Sequence, residues 1–261
     1  AVRLTTAKLF ATLADEAPAV ARPAIDPLAD RLADEEEFYY VRARCAEALG
    51  YLALDYPDAV GEPERLAELR IGLEFDEPEV REKLAKALEY VALGDPGRLR
   101  HHVERLADHL DDDNELVRYH LVTTLVVVGA VYPERLAAAP EPLRERLDDP
   151  NPYVRGRTAE ALGLRPDAST DRIRAAVSGL REGDEQFVVE RAEFALDEDP
   201  TGEGTDGESG PSLGTVDSVR ATTERAVEAI RTPDSDGDCP HCGSSVPADG
   251  PPMCPRCGAP R

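Results

Sequence analysis

Tryptophan is absent from this chain, methionine occurs once, at Met253, and Lys8, Lys83 and Lys86 are the only lysines among 261 residues. No apolar run reaches the roughly 18 residues that a membrane span needs, and no basic-flanked apolar stretch marks a signal peptide. That reading excludes a membrane protein, and a cytoplasmic location follows by default. Positive charge is scarce as well: 30 Lys and Arg stand against 53 Asp and Glu, a formal net charge of −23. Such a balance opposes binding to nucleic acid, whose phosphates need a basic footprint. Phe, Tyr and Trp do not occur after Phe194, so the last quarter of the chain has no aromatic core.

What is present is repetition. Asp148 to Gly163 reads as an acidic turn followed by a short helix. Asp149 or Asn151 can cap its free N–H groups, Pro152 suits its first turn, and Val154, Ala159 and Leu162 share one face. Gly163 suits a left-handed residue after the helix. The valine recurs at Val2, Val41, Val80, Val117, Val154 and Val188, in steps of 39, 39, 37, 37 and 34 residues. Arginine follows it at Arg3, Arg42, Arg81, Arg118 and Arg155, while Val189 breaks the pattern. A second ladder, Pro18, Pro57, Pro96, Pro133, Pro166 and Pro200, drifts in step with the first. Between each proline and the next valine lies another apolar run at helical spacing, such as Leu66, Leu69 and Leu73, or Val103, Leu106 and Leu110. Each unit is therefore expected to be two helices, a longer A and a shorter B, with B ending near Gly50, Gly94, Gly129 and Gly163.

A two-helix unit of this length, with an Asp-rich A–B turn and Val-Arg opening helix B, resembles HEAT repeats. Asp148, Asp149, Pro150, Val154, Arg155, Ala159, Leu162 and Gly163 carry the resemblance best. It implies an all-α, HEAT-like α-solenoid, with the B helices lining its concave side, and is nearly silent on function. The expected layout is a solenoid over residues 1–198, with a partial first repeat and about five two-helix units. An acidic flexible linker over 199–216, a short helix over 217–232 and a small zinc ribbon over 238–261 follow. The first unit begins directly with a B-type helix. This suggests an N-terminally truncated fragment; the alternative is a processed Met and a single-helix cap. Abundant carboxylates with scarce lysine resemble the proteins of salt-in halophiles of the haloarchaeal type; the alternative is an ordinary acidic scaffold.

The repeated arginines can be read as a ligand-binding stripe or as an inter-repeat hydrogen-bond ladder with the turn aspartates; the second reading is preferred. Cys45, among Ala46, Ala48 and Leu49, reads as a small core residue. His101, His102, His109 and His120 are the only local group of histidines. The iron-binding HEAT enzymes resembling deoxyhypusine hydroxylase use His-Glu pairs, and this sequence has no His-Glu dipeptide. The acid runs at Glu35–Glu37, Asp111–Asp113 and Asp148–Asp149 are expected along one rim, as caps and solvated turns or as a docking rim for a basic partner. On the B helices, Arg44, Glu47, Lys83, Lys86, Glu89, Arg157 and Glu160 are expected to form an exposed mixed-charge surface.

Residues 201–215 hold almost nothing apolar and read as linker. Asp217 or Ser218 is then expected to cap a helix to about Arg231, marginal by itself, which either docks or frays. The clearest chemistry follows: Cys239-Pro-His-Cys242-Gly and Cys254-Pro-Arg-Cys257-Gly, two C-x2-C turns with eleven residues between them. Two such knuckles bring four thiolates to one tetrahedral ion. The pattern resembles the small zinc ribbons appended to many archaeal proteins. Rubredoxin-like iron sites use similar knuckles with an aromatic core, which is lacking here. Cys239, Cys242, Cys254 and Cys257 are thus expected to hold one structural zinc per chain. The function expected is a non-enzymatic adaptor that binds protein partners through the solenoid. The alternatives are a nucleic-acid accessory factor using the ribbon and, with no nucleophile–base pair to support it, a HEAT-type lyase or hydroxylase accessory.

Overall fold

The computed structural model describes residues 2–166, 171–183, 185–197 and 212–231. The chain divides into two compact units, Ala1–Ala221 and Thr222–Arg261. In the first, a helix in the B position, α1 (Val2–Glu16), opens the array. Each later unit then has an A segment and a B helix. The A segments are α2 (Pro18–Ala21) with α3 (Ile25–Ala33), α5 (Pro57–Val60) with α6 (Pro63–Ile71), α8 (Val103–Ala107), α10 (Pro140–Glu145) and α12 (Asp171–Ser178). The B helices are α4 (Tyr39–Asp55), α7 (Pro78–Gly94), α9 (Glu115–Val131), α11 (Pro152–Gly163) and α13 (Gln186–Leu196). A last helix, α14 (Val216–Arg231), starts in the first unit and continues in the second. Among the described residues every regular element is helical.

The relative lengths are the reverse of the sequence expectation. The B helices α4, α7 and α9 each run 17 residues, whereas α3 and α6 run 9 and α8 only 5. The prolines explain it. Pro18, Pro23 and Pro27 fall in the first A segment, Pro57 and Pro63 in the second, and Pro133, Pro140 and Pro142 in the fourth. A proline lacks the N–H that would join it to a preceding turn, so the A side breaks into short α and 3-10 pieces. The B helices carry proline only at their first position, as Pro78 and Pro152, where the missing N–H costs nothing.

Apart from Val2, which is 80% exposed in the opening helix, the valines of the ladder are core, as are most of the apolar positions between them. Val41, Val80, Val117, Val154 and Val188 are buried, as are Leu28, Leu32, Leu66, Leu69, Leu106, Leu143, Ile173 and Val177. Cys45 is buried among them, and burial raises its thiol pKa to about 11.

Gly94 and Gly163 are the last residues of α7 and α11, as expected, but neither has a positive φ. Gly50 and Gly129 lie inside α4 and α9 rather than after them, and Gly214 is the one glycine with a positive φ among the described residues. Gly50 and Gly163 are contact points between successive B helices. A Cβ at Gly50 would stand 2.8 Å from the Ala87 Cα, and one at Gly163 would stand 2.7 Å from the Ala195 Cα. The side chain is absent because the next helix passes there, not because the backbone turns.

Asn151, rather than Asp149, caps α11, accepting from Tyr153 N at 2.9 Å; Asp149 Oδ1 accepts from Asn151 N at 2.9 Å. Asn114 and Asp112 repeat the arrangement before α9, with Leu116 N and Asn114 N each at 2.8 Å.

Candidate interaction surface

The arginine after each valine joins the units. Arg118 grips Asp149 of the next turn with Nε at 2.7 Å and Nη2 at 3.0 Å, and Arg81 grips Asp112 at 2.7 and 3.1 Å. Their Nη1 atoms donate to carbonyls of their own turn, Asp112 O and Asp113 O for Arg118, Phe75 O and Asp76 O for Arg81. Arg155 repeats this with Asp149 O, Pro150 O and Glu185, and Arg3 reaches Glu37 at 3.0 Å. Arg42 is the variant: Phe75 occupies the place of the acceptor aspartate, and the guanidinium lies 4.7 Å over its ring. The arginines are thus mortar between repeats, as expected, and Asp112 and Asp149 of the acidic turns are consumed by it.

A second ladder runs along the B helices, one turn further on. From Val41 on, the third residue after each valine is basic or histidine: Arg44, Lys83, His120, Arg157 and Arg191. Glu47 bridges the first two, to Arg44 Nη1 at 2.6 Å and Lys83 Nζ at 3.1 Å. Burial alone would raise the Glu47 pKa; Lys83 and Arg44 outweigh it and hold the carboxyl below its ordinary range. In the middle, Glu89 Oε2 lies 2.6 Å from His120 Nδ1, both side chains fully buried. At the far end Glu160 Oε2 takes Arg157 at 2.7 Å and Arg191 at 3.1 Å. Burial again opposes ionisation of Glu160, and again the two arginines prevail and lower its pKa. Two guanidiniums share this one carboxylate, and burial with the nearby Arg157 pulls the Arg191 pKa down to about 10. The surplus positive charge rests on π and carbonyl electrons. Arg191 lies 3.4 Å over the Phe187 ring and donates to Phe187 O.

This geometry corrects the expected mixed-charge surface. Glu47, Glu89, Arg157 and Glu160 are buried, while Arg44, Lys83 and Lys86 remain half-exposed. Lys86 donates to the Tyr51 hydroxyl at 2.9 Å and lies 4.8 and 5.2 Å from the Tyr51 and Tyr90 ring centres. The B face therefore has an accessible charged and aromatic half, on α4 and α7, and a closed half on α11 and α13.

The closed half is covered by the stretch leading into α14. Gly214 N donates to Glu160 Oε1 at 3.1 Å, Arg157 Nη2 reaches Val219 O at 3.5 Å, and Arg220 Nη2 donates to Leu93 O at 2.9 Å. Thr215, not Asp217 or Ser218, caps the helix, its Oγ1 accepting from Ser218 N at 3.2 Å. Docking was one of two outcomes expected for this helix; the part of Gly214, within the stretch read as linker, was not foreseen. The one signal for it was the glycine itself, at φ 74°, where a Cβ would overlap the Phe194 ring.

The histidines do not gather: His101 accepts from Arg100 beside α8, while His120 is paired with Glu89 on the B face. No group of three or more metal-ligating side chains occurs among the described residues, nor does any helix long and apolar enough to cross a membrane. Cys239, Cys242, Cys254 and Cys257 lie outside the described residues.

A family model for HEAT repeats matches residues 25–126 and 66–163. No curated protein matches. Among solved structures, a designed armadillo repeat protein is similar at 20% identity and a TM-score of 0.63, covering 74% of this chain and 91% of that one. An engineered protein matches at 21% identity and a TM-score of 0.64, covering 74% and 90%. A designed armadillo repeat protein in complex with the peptide (KR)4 matches at 20% identity and a TM-score of 0.61, covering 74% and 91%. At these identities the structures speak for the repeat fold alone. The family model spans more than half of the sequence and falls on the same Val-Arg units that the two ladders tie together, so the chain belongs to the HEAT-repeat family.

Proposed function

We propose that the chain is a non-enzymatic scaffold that holds a protein partner on its B-helix face. The observation that carries this is the accessible half of that face: Arg44, Tyr51, Lys83, Lys86 and Tyr90, half-exposed, on successive helices at one register. Mixed charge with aromatic rings suits a protein surface, whereas a phosphate backbone wants a run of positive charge. The acid excess of the whole chain points the same way. A designed relative in fold holds a (KR)4 peptide, which supports a polypeptide as the kind of ligand this architecture takes. The carboxylates of the face, Glu47, Glu89 and Glu160, are all buried, and this favours binding over catalysis.

The two C-P-x-C-G turns extend the proposal. Four thiolates in that pairing fit one tetrahedral zinc, with no position left for a substrate, so the metal would be structural. The ribbon then serves as a second contact with the same assembly.

The test is recovery of partners from the native host at native salt, using the full chain. Arg44→Ala together with Lys86→Ala should abolish or sharply reduce recovery while leaving helicity intact, and Cys239→Ser should weaken it only in part. Arg157, being buried, is unsuitable for this purpose. Submicromolar binding of duplex or single-stranded nucleic acid by anisotropy, lost with Cys239→Ser, would establish instead an accessory factor that works through the ribbon.

A further inference from the structure

The closed half of the B face has the features of an occupied binding groove. Its floor is polar and already charged, with Glu160 held between Arg157 and Arg191. Its occupant meets that floor through hydrogen bonds as well as through the buried Val219. Gly214 offers a free N–H at the start of a helix to Glu160, Val219 offers a carbonyl to Arg157, and Arg220 places its guanidinium on the carbonyl of Leu93 at the end of α7. Buried charges demand such partners. The segment is also far away in sequence: 54 residues separate Gly214 from Glu160, and 127 separate Arg220 from Leu93. It therefore adds no unit to the repeat and lies across units already complete. Its Val219 and Ser218 are buried, while Asp217 and Arg220 remain at the surface, which gives the short stretch one docked side.

We propose that residues 212–221 are an intramolecular ligand of the groove formed by α7, α11 and α13, and that the partner this groove takes is a protein helix of the same design. Such a helix would follow a tight turn with a free backbone N–H and carry an arginine about one turn in. The partner and the chain's own segment compete, so binding there requires the segment to leave. The inference rests on the B face being the binding surface. When the groove is closed for most of the time, the apparent affinity for an outside helix falls by the fraction open.

The test uses the full chain and, as probe, a fluorescein-labelled peptide copying residues 212–231, long enough for the whole of α14 to form. Arg220→Ala removes a contact at the surface without touching the core; Gly214→Val blocks the positive φ and the seat beside Phe194. Circular dichroism confirms that each variant keeps its helicity. The peptide should bind each variant about tenfold or more tightly than the wild-type chain. A peptide with its own Arg220→Ala change should lose that advantage. Equal affinity for wild type and both variants would overturn the competition but leave the face a binding surface. Peptide binding to neither, with fold intact, would overturn the groove itself, without touching partner recovery through Arg44 and Lys86.

Discussion

At the scale of residues, position in the repeat decides what a charge does. Asp149 and Glu185 both receive an arginine from the preceding unit, yet Asp149 is fully buried and Glu185 is half-exposed. Removing Asp149 strands Arg118 in the interior, so Asp149→Ala should cost about 3–5 kcal/mol of stability. Glu185→Ala should cost less than about 1 kcal/mol, because water screens that pair. Denaturant unfolding of the two variants checks the contrast. Glu160 carries a pH signature as well. Its pKa is lower in the folded chain than the ordinary value of 4.5, because Arg157 and Arg191 overcome the effect of burial. A lowered carboxylate stabilises the fold above the ordinary value, and that contribution is lost as pH falls through the lowered one. Glu160→Gln should therefore melt well below the wild type at pH 7, and the difference should shrink steadily below about pH 4.5. A difference that stays constant across this range would contradict the ionised triad.

At the scale of elements, the unit was legible and its proportions were not. Val-Arg followed by an apolar face marked every B helix except α13, where Val189 replaces the arginine, and acidic turns marked the junctions before α4, α9 and α11, because those residues act locally or on the next unit. Helix length escaped because the prolines were read only as unit openers, whereas Pro23, Pro27, Pro63 and Pro140 also cut the A side into short pieces. Gly163 does end α11, whereas Gly50 and Gly129 lie inside their helices; nothing local distinguishes a glycine that ends a helix from one that admits a neighbour. The burial of Glu89, Arg157 and Glu160 was illegible for a related reason. Their partners His120 and Arg191 lie 31 residues on, and the cover over Glu160 comes from Gly214. The glycine contact is testable. Gly163→Val should cost about 1–3 kcal/mol by overpacking against the Ala195 backbone. Gly179→Ala, with no atom within 4 Å, should change stability by less than about 0.5 kcal/mol. For the cysteine turns, elemental analysis should return one zinc per chain. Chelation should release it with the helical signal nearly unchanged, since the four ligands are all outside the repeats. Loss of most of the helix on chelation would refute that independence.

At the scale of the whole molecule, a net charge of −23 repels itself in dilute buffer. Molar salt contracts the screening length to about 3 Å. If the composition reflects a salt-in cytoplasm, the melting temperature should keep rising with KCl well beyond the level that screens an ordinary surface; a flat or falling trend would remove the halophile reading. The same charge frames the partner. The two ladders pair many acids within the repeats, and three half-exposed cations, Arg44, Lys83 and Lys86, stand together on the B face of α4 and α7. The function proposed above depends on that one region. Hydrogen exchange on the full chain, alone and with its recovered partner at native salt, tests it most directly. Backbone amides of residues 40–52 and 79–91 should become more protected in the complex. Protection confined to the A segments, or absent from α4 and α7, would contradict the account.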